Sequence, residues 1–150
     1  MILGMVSIDN FLIMEVIRFK NWKFEVDKAL TLETYSHVSK GGAESCLCND
    51  CINYIQNREK VFPEEVKSLF SNLGIDYNKE VEILSYQILS NGLHHIAGWF
   101  HFKGKLIEGE NCKKDIENEV SQIELTAIDN NFSIGFCEQN SLTFFENTEG

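Results

Sequence analysis

Three cysteines fall within six positions in "ESCLCNDCINYIQ", residues 44–56. Cys48 and Cys51 form a C-x-x-C pair, and Cys46 adds a third sulfur two residues earlier. As thiolates they could hold zinc, which takes four ligands in a tetrahedron and accepts sulfur and imidazole together. The fourth ligand would come from elsewhere, and the histidines of "LHHIAGWFHF" are the candidates, His101 first among them. No second C-x-x-C and no H-x-x-x-H accompanies the cluster, and one of these is the pattern that makes a zinc assignment strong.

The same pair supports two other readings. A thiol at a helix N-terminus feels the positive end of the dipole, which lowers its pKa and makes a nucleophilic thiolate. "NDCINYIQNRE" predicts a helix that starts there with Asn49 as cap. That would give a thiol-redox enzyme working through Cys48 and Cys51, although the βαβ surroundings of a thioredoxin-like motif are not visible. Asp50 beside the pair also disfavours a thiolate. The bland reading is packing. In a helix from about Cys48, residues Cys48, Cys51, Ile52 and Ile55 fall at i, i+3, i+4 and i+7 and share one buried stripe. The spacing favours packing, with metal as the leading alternative.

No other constellation stands out. G-x-S-x-G, the P-loop and the dinucleotide fingerprint are all missing. A Cys–His nucleophile could be assembled from Cys51 with His37 or His101, but five cysteines and four histidines permit many such pairs. In "GWFHF" the alternation places Phe100 and Phe102 on one face, the core, and Trp99 with His101 on the other. The latter pair could line a pocket, though cover by other chain segments is the favoured reading.

Composition narrows the function classes. The chain has 150 residues, 43% hydrophobic and 24% charged, with a formal net charge of −10. Its 13 basic residues are scattered, whereas nucleic-acid binding needs a clustered cationic footprint. The nearest approaches to a patch are Lys103 with Lys105 on one strand, and Lys113 with Lys114. No stretch approaches the roughly 18 uninterrupted apolar residues of a membrane span. The opening residues carry Asp9 and Glu15 and do not read as a secretory signal. Five cysteines cannot all pair, so reduced thiols and a cytoplasmic location are expected. Cys137, on the apparent strand "FSIGFCEQ", is expected to behave as a buried small hydrophobe.

The elements that must position these residues follow from periodicity. "FLIMEVIRF" and "NWKFEVD" read as strands, the second with Trp22, Phe24 and Val26 alternating against Lys23 and Glu25. "TLETYSHV" reads as a short helix from about Thr31, and "SKGGAES" as an exposed loop. The clearest helix is "FPEEVKSLFSNLG", where Phe62, Val66, Leu69, Phe70 and Leu73 share a face. Pro63 and two glutamates open it, and Gly74 closes it. Beyond "IDYNKE" the chain turns β-branched and aromatic, with "SNG", "DNN" and "QNS" as turns. One domain spanning 1–150 is expected, of the α+β class: an antiparallel sheet with two or three helices from the middle of the chain packed on one face.

"CLCNDCINY", "FPEEVKSLFSNLGID" and "GWFHFKG", in that order, resemble a family of bacterial proteins that carry a C-x-C-x-x-C-x-N-aromatic motif. Those proteins also have a proline-led helix ending in Leu-Gly-Ile-Asp and a later Gly-Trp-aromatic-His-Phe strand. The resemblance covers about residues 22–105, "WKFEVD" with Thr31 and Tyr35 included. It implies a bacterial origin and no particular activity. The Pro-Trp segment that closes those proteins has no counterpart here. The reading is therefore a binding or regulatory protein rather than an enzyme, with an unidentified protein or small molecule as partner. Zinc through Cys46, Cys48, Cys51 and His101 is the alternative, and no other cofactor is expected.

Overall fold

A computed structural model of the chain describes residues 14–90, 92, 94–116, 120–137 and 142–147. β1 (Glu15–Phe19) and β2 (Trp22–Val26) form an antiparallel hairpin, Arg18 opposite Lys23. The front part of "FLIMEVIRF" and the "QNS" turn lie outside the described residues. In β2 the expected alternation holds: Trp22, Phe24 and Val26 are buried, while Lys23 and Glu25 are half-buried.

Asp27 ends β2 and caps α1 (Lys28–Ser36), its carboxylate accepting from the Leu30 N–H at 3.0 Å. The helix therefore begins three residues before Thr31, because a capping aspartate outweighs the weaker threonine signal. Thr31 and Tyr35 dock it. The Thr31 hydroxyl accepts from the Lys103 N–H at 2.9 Å, and the Tyr35 hydroxyl donates to the His101 carbonyl at 2.7 Å.

"SKGGAES" is not simply an exposed loop. Gly42–Cys46 forms the short helix α2, with Gly41 and Ala43 buried. The Gly42 N–H donates to the Glu80 carbonyl at 2.8 Å and the Ala43 N–H to the Glu80 carboxylate at 3.0 Å. A Cβ on Gly42 would lie 2.3 Å from the Val81 carbonyl oxygen, so only glycine lets α2 approach this closely. The paired glycines mark tight contact, which sequence patterning cannot distinguish from a flexible loop.

α3 (Asn49–Val61) and α4 (Glu64–Leu73) follow. On α4, Val66, Leu69, Phe70 and Leu73 are all buried, as their spacing requires, and Phe62 joins them. Pro63 stands at the N-cap, and Gly74 closes the helix at φ 84°. Four helices among the described residues, rather than two or three, pack against the sheets.

The second half is antiparallel throughout but divides into three sheets. β3 (Glu82–Ile88), β4 (His94–His101), β8 (Thr126–Ala127), β9 (Phe132–Cys137) and β10 (Leu142–Asn147) form one, in the order β3-β4-β10-β9-β8. β5 (Gly104–Glu108) leaves that sheet after Lys103 and pairs with β2, and β6 (Lys113–Ile116) pairs with β7 (Val120–Ile123). Lys103 therefore precedes the strand that carries Lys105, and the two do not share its face. Gly104 makes the switch possible: a Cβ there would lie 2.9 Å from the Phe102 ring and 3.0 Å from the Glu25 carbonyl oxygen.

The core joins both larger sheets. Phe136 of β9 meets Phe24 at 4.7 Å and Trp22 at 4.9 Å between ring centroids. Phe62 sits among Phe70, Phe100 and Phe132, each 5.7–5.9 Å away. Phe100 and Phe102 face inward as expected, at 0% and 7% exposure. Cys137 is buried, and so is Cys112. The fold class is α+β, with helices packed against antiparallel sheet.

Candidate metal centre

The thiols sit where α2 turns into α3. Cys46 is the last residue of α2, Leu47 turns the chain at a left-handed φ of 57°, and Cys48 is the N-cap of α3. A left-handed leucine is unfavourable for an L-residue, and nearly four-fifths of this one is exposed. The reversal folds Cys46 back toward the first turn of α3, where Cys51 lies. The sulfurs of Cys46, Cys48 and Cys51 consequently all lie within 4.8 Å of one another.

The cap is Cys48, not Asn49. Its Sγ accepts from the Cys51 N–H at 3.4 Å, the interaction a serine or aspartate supplies in an ordinary capping position. Cys48 and Cys46 are exposed, and only Cys51 is buried. The expected stripe of Cys48, Cys51, Ile52 and Ile55 does not form, since Ile52 is also exposed. α3 instead buries Cys51, Tyr54, Arg58 and Val61. The helix rolls this way because Arg58 is drawn inward, to Glu44 and the Asn78 carbonyl at 3.0 Å each and Glu80 at 3.7 Å. Its guanidinium also stands 5.5 Å from the Tyr54 ring. Packing thus accounts for one cysteine of the three.

The local field splits the thiols. The Cys51 N–H, followed by the thiols of Cys46 and Cys51, lowers the Cys48 pKa. Burial pushes Cys51 up to about 12, reinforced by its thiol donating to Cys48 and Cys46. Of the two, Cys48 gives up its proton the more readily and Cys51 the less. Three thiolates together would require a cation.

His101 is not brought to this group. It ends β4, exposed, with its carbonyl bonded by Tyr35. His94 opens the same strand, seven residues and roughly 23 Å away at about 3.3 Å per residue. It is His94 that reaches α3, with Nδ1 3.8 Å from the Asp50 carboxylate. No histidine among the described residues belongs to the three-sulfur group. His95 stacks edge-on against Tyr86 at 4.9 Å, and His37 follows α1.

The residues that hold the site together were not singled out by spacing. Glu80 is buried and binds α2 through two amides, and Arg58 ties Glu44 of α2 to α3. Nothing in "NKEVEIL" or "QNREK" separates these charges from surface ones. Only tertiary contacts do so. Comparison with models of protein families, with curated proteins and with solved structures finds no match for this chain.

Proposed function

We propose that this protein is a small metal-binding regulatory domain in which Cys46, Cys48 and Cys51 hold zinc as thiolates. The observation that supports it is the convergence of three sulfurs, two of them exposed and therefore not explained by packing. Zinc–sulfur bonds of about 2.3 Å in a tetrahedron set the sulfurs about 3.8 Å apart, so small side-chain rotations bring the three into place. The ion supplies the charge that allows Cys51 to ionise, and the N-terminal end of α3 favours the excess negative charge of three thiolates. Water completes the tetrahedron. An open position and two exposed ligands suit exchange of metal or ligand more than a closed structural site. Such thiols must stay reduced, which fits the cytoplasm. The net charge of −10 argues against nucleic acid as partner.

The test is titration of reduced, metal-free protein with cobalt(II), read by thiolate-to-cobalt charge-transfer absorption, followed by displacement with zinc. One ion per chain is expected, weakened by Cys46→Ser and by Cys48→Ser but not by Cys112→Ser. Absence of binding tighter than micromolar, or affinity untouched by the first two substitutions, overturns the reading.

A thiol-redox function is the second reading, and the asymmetry of the pair favours it. Cys48 thiolate would attack a substrate disulfide, expelling one thiolate and leaving a mixed disulfide. Cys51, giving up its proton, would attack the Cys48 sulfur and release the second thiolate. The substrate disulfide is reduced by two electrons and the Cys48–Cys51 pair oxidised. A reversible Cys48–Cys51 disulfide in protein that ignores cobalt would establish it.

A further inference from the structure

A cavity of about 550 Å³ opens between α1, α2, the chain entering β3 and the β4–β5 connection. That volume lies within the range of small-molecule sites, roughly 300–1,000 Å³. Leu30, Tyr35, Val38, Val81 and Phe102 give it an apolar wall. Its charged lining inverts the balance of the chain. Lys40, Lys79 and Lys103 are there, against Glu80 as the one carboxylate, in a protein with 23 acidic and 13 basic residues. One oxygen of Glu80 accepts from the Ala43 N–H at 3.0 Å and lies 3.7 Å from Arg58, while the other is buried without a hydrogen-bond partner among the described residues. Lys79 donates to the Tyr35 carbonyl at 2.8 Å and stands 3.8 Å from Asp76. Lys40 and Lys103 have no carboxylate partner among the described residues.

We propose that this cavity binds a small amphipathic carboxylate, its apolar body against Leu30, Val38 and Phe102 and its charged head at Lys40 and Lys103. Burial of a chain of methylenes supplies the affinity. The lysines fix the orientation and sign. A carboxylate fits better than a phosphate ester. No arginine fork lines the cavity, and the first two amides of α2 are taken by Glu80, so no cradle of N–H groups is left for a dianion. The cavity includes none of the three clustered cysteines, so the inference stands whether or not they bind metal.

Decanoate is the probe, titrated calorimetrically into reduced full-length protein in the presence of a chelator, with decylamine as the cation of matched length. One decanoate per chain is expected to bind with micromolar affinity, and decylamine about tenfold or more weaker. The double variant Lys40→Glu with Lys103→Glu changes two exposed side chains that hold nothing in the fold. It should weaken decanoate about tenfold or more while leaving the circular dichroism spectrum unchanged. Thr34→Trp, on the exposed side of α1 at the cavity wall, should exclude decanoate sterically. Absence of saturable binding below millimolar decanoate, equal binding of decylamine, or an unchanged affinity in the double variant overturns the proposal.

Discussion

Glu80→Ala should loosen the cysteine cluster without touching it. The Glu80 side chain is fully buried, accepts from the Ala43 N–H at 3.0 Å and lies 3.7 Å from Arg58, itself only 6% exposed. Removing it leaves a buried amide without an acceptor, which costs about 1–3 kcal/mol. Losing one partner of a buried ion pair costs about 3–5 kcal/mol where the other is abandoned. Arg58 is not abandoned, because Glu44 and the Asn78 carbonyl still accept from it at 3.0 Å. The expected loss is therefore about 3 kcal/mol, near the low end. Glu80→Gln keeps an acceptor for Ala43 and removes the desolvated charge, so it should cost about 1 kcal/mol or less. Burial raises the Glu80 pKa, outweighing the amides and Arg58. A carboxyl whose folded pKa is raised binds its proton preferentially in the folded state. Its stabilising contribution is full below the unfolded value, about 4.3, and is lost as pH rises through the folded one. Wild type should thus gain on Glu80→Gln as pH falls across that window. Urea unfolding followed by tryptophan fluorescence measures all three quantities, with the m-value as the check on two-state comparison. A loss below about 1 kcal/mol for the alanine variant, or equal losses for alanine and glutamine, would refute the reasoning.

Four further outcomes are expected. Phe102→Ala should cost about 3–5 kcal/mol in the same assay, and a loss well under 1 would mean that Phe102 is not held in the core. Iodoacetamide should alkylate Cys48 ahead of Cys51 and Cys112, with the Cys48 rate inflecting below the ordinary thiol range of about 8.5. Peptide mass mapping reads the order, and prior modification of Cys51 would contradict the field described at the α3 terminus. Zinc affinity, measured against a competing chromophoric chelator, should fall as pH drops, because protons compete for the thiolates. A pH-independent affinity would place the ion on other ligands. Duplex DNA should show no binding at physiological salt, and sub-micromolar, salt-sensitive association in a filter assay would overturn the charge argument.

The parts of the fold legible in the sequence were those set by one periodicity. α4 followed from five apolar residues on one face plus a proline and a glycine at its ends, and all five are buried. β2 followed from alternation. What escaped was fixed by contacts between distant segments. The β-rich run "HHIAGWFHFKGKLIE" divides at Lys103 because Gly104 lets the chain pass Phe102 and join β2, a choice no local pattern encodes. α3 presented two possible stripes, and the apolar one, with Ile52 and Ile55, was the natural choice. Arg58 inverts it, since its guanidinium finds Glu44, the Asn78 carbonyl and Glu80 on the inner side of the helix and Ile52 can remain at the surface. The same roll carried Cys48 outward. The cysteines were visible as a cluster; their division into two exposed and one buried was not.

That division bears on the chemistry more than the spacing does. Three buried thiols would be inert small hydrophobes, and three exposed thiols would be free to spread apart. Here the left-handed turn at Leu47 and the Glu80 anchor hold Cys46 against Cys48, while α3 fixes Cys51 beneath them. Glu80 and Arg58 are costly to bury, and a helix of five residues has little stability of its own. Their effect is to pin α2 at its start and its middle, by Glu80 at its first two amides and by Arg58 at Glu44. α2 in turn carries Cys46 at its end and lines the lysine-rimmed cavity with Gly42 and Ser45. A buried charge network that stabilises so short an element makes physical sense when the position of that element matters. At this one it sets both the distance between sulfurs and the wall of the cavity.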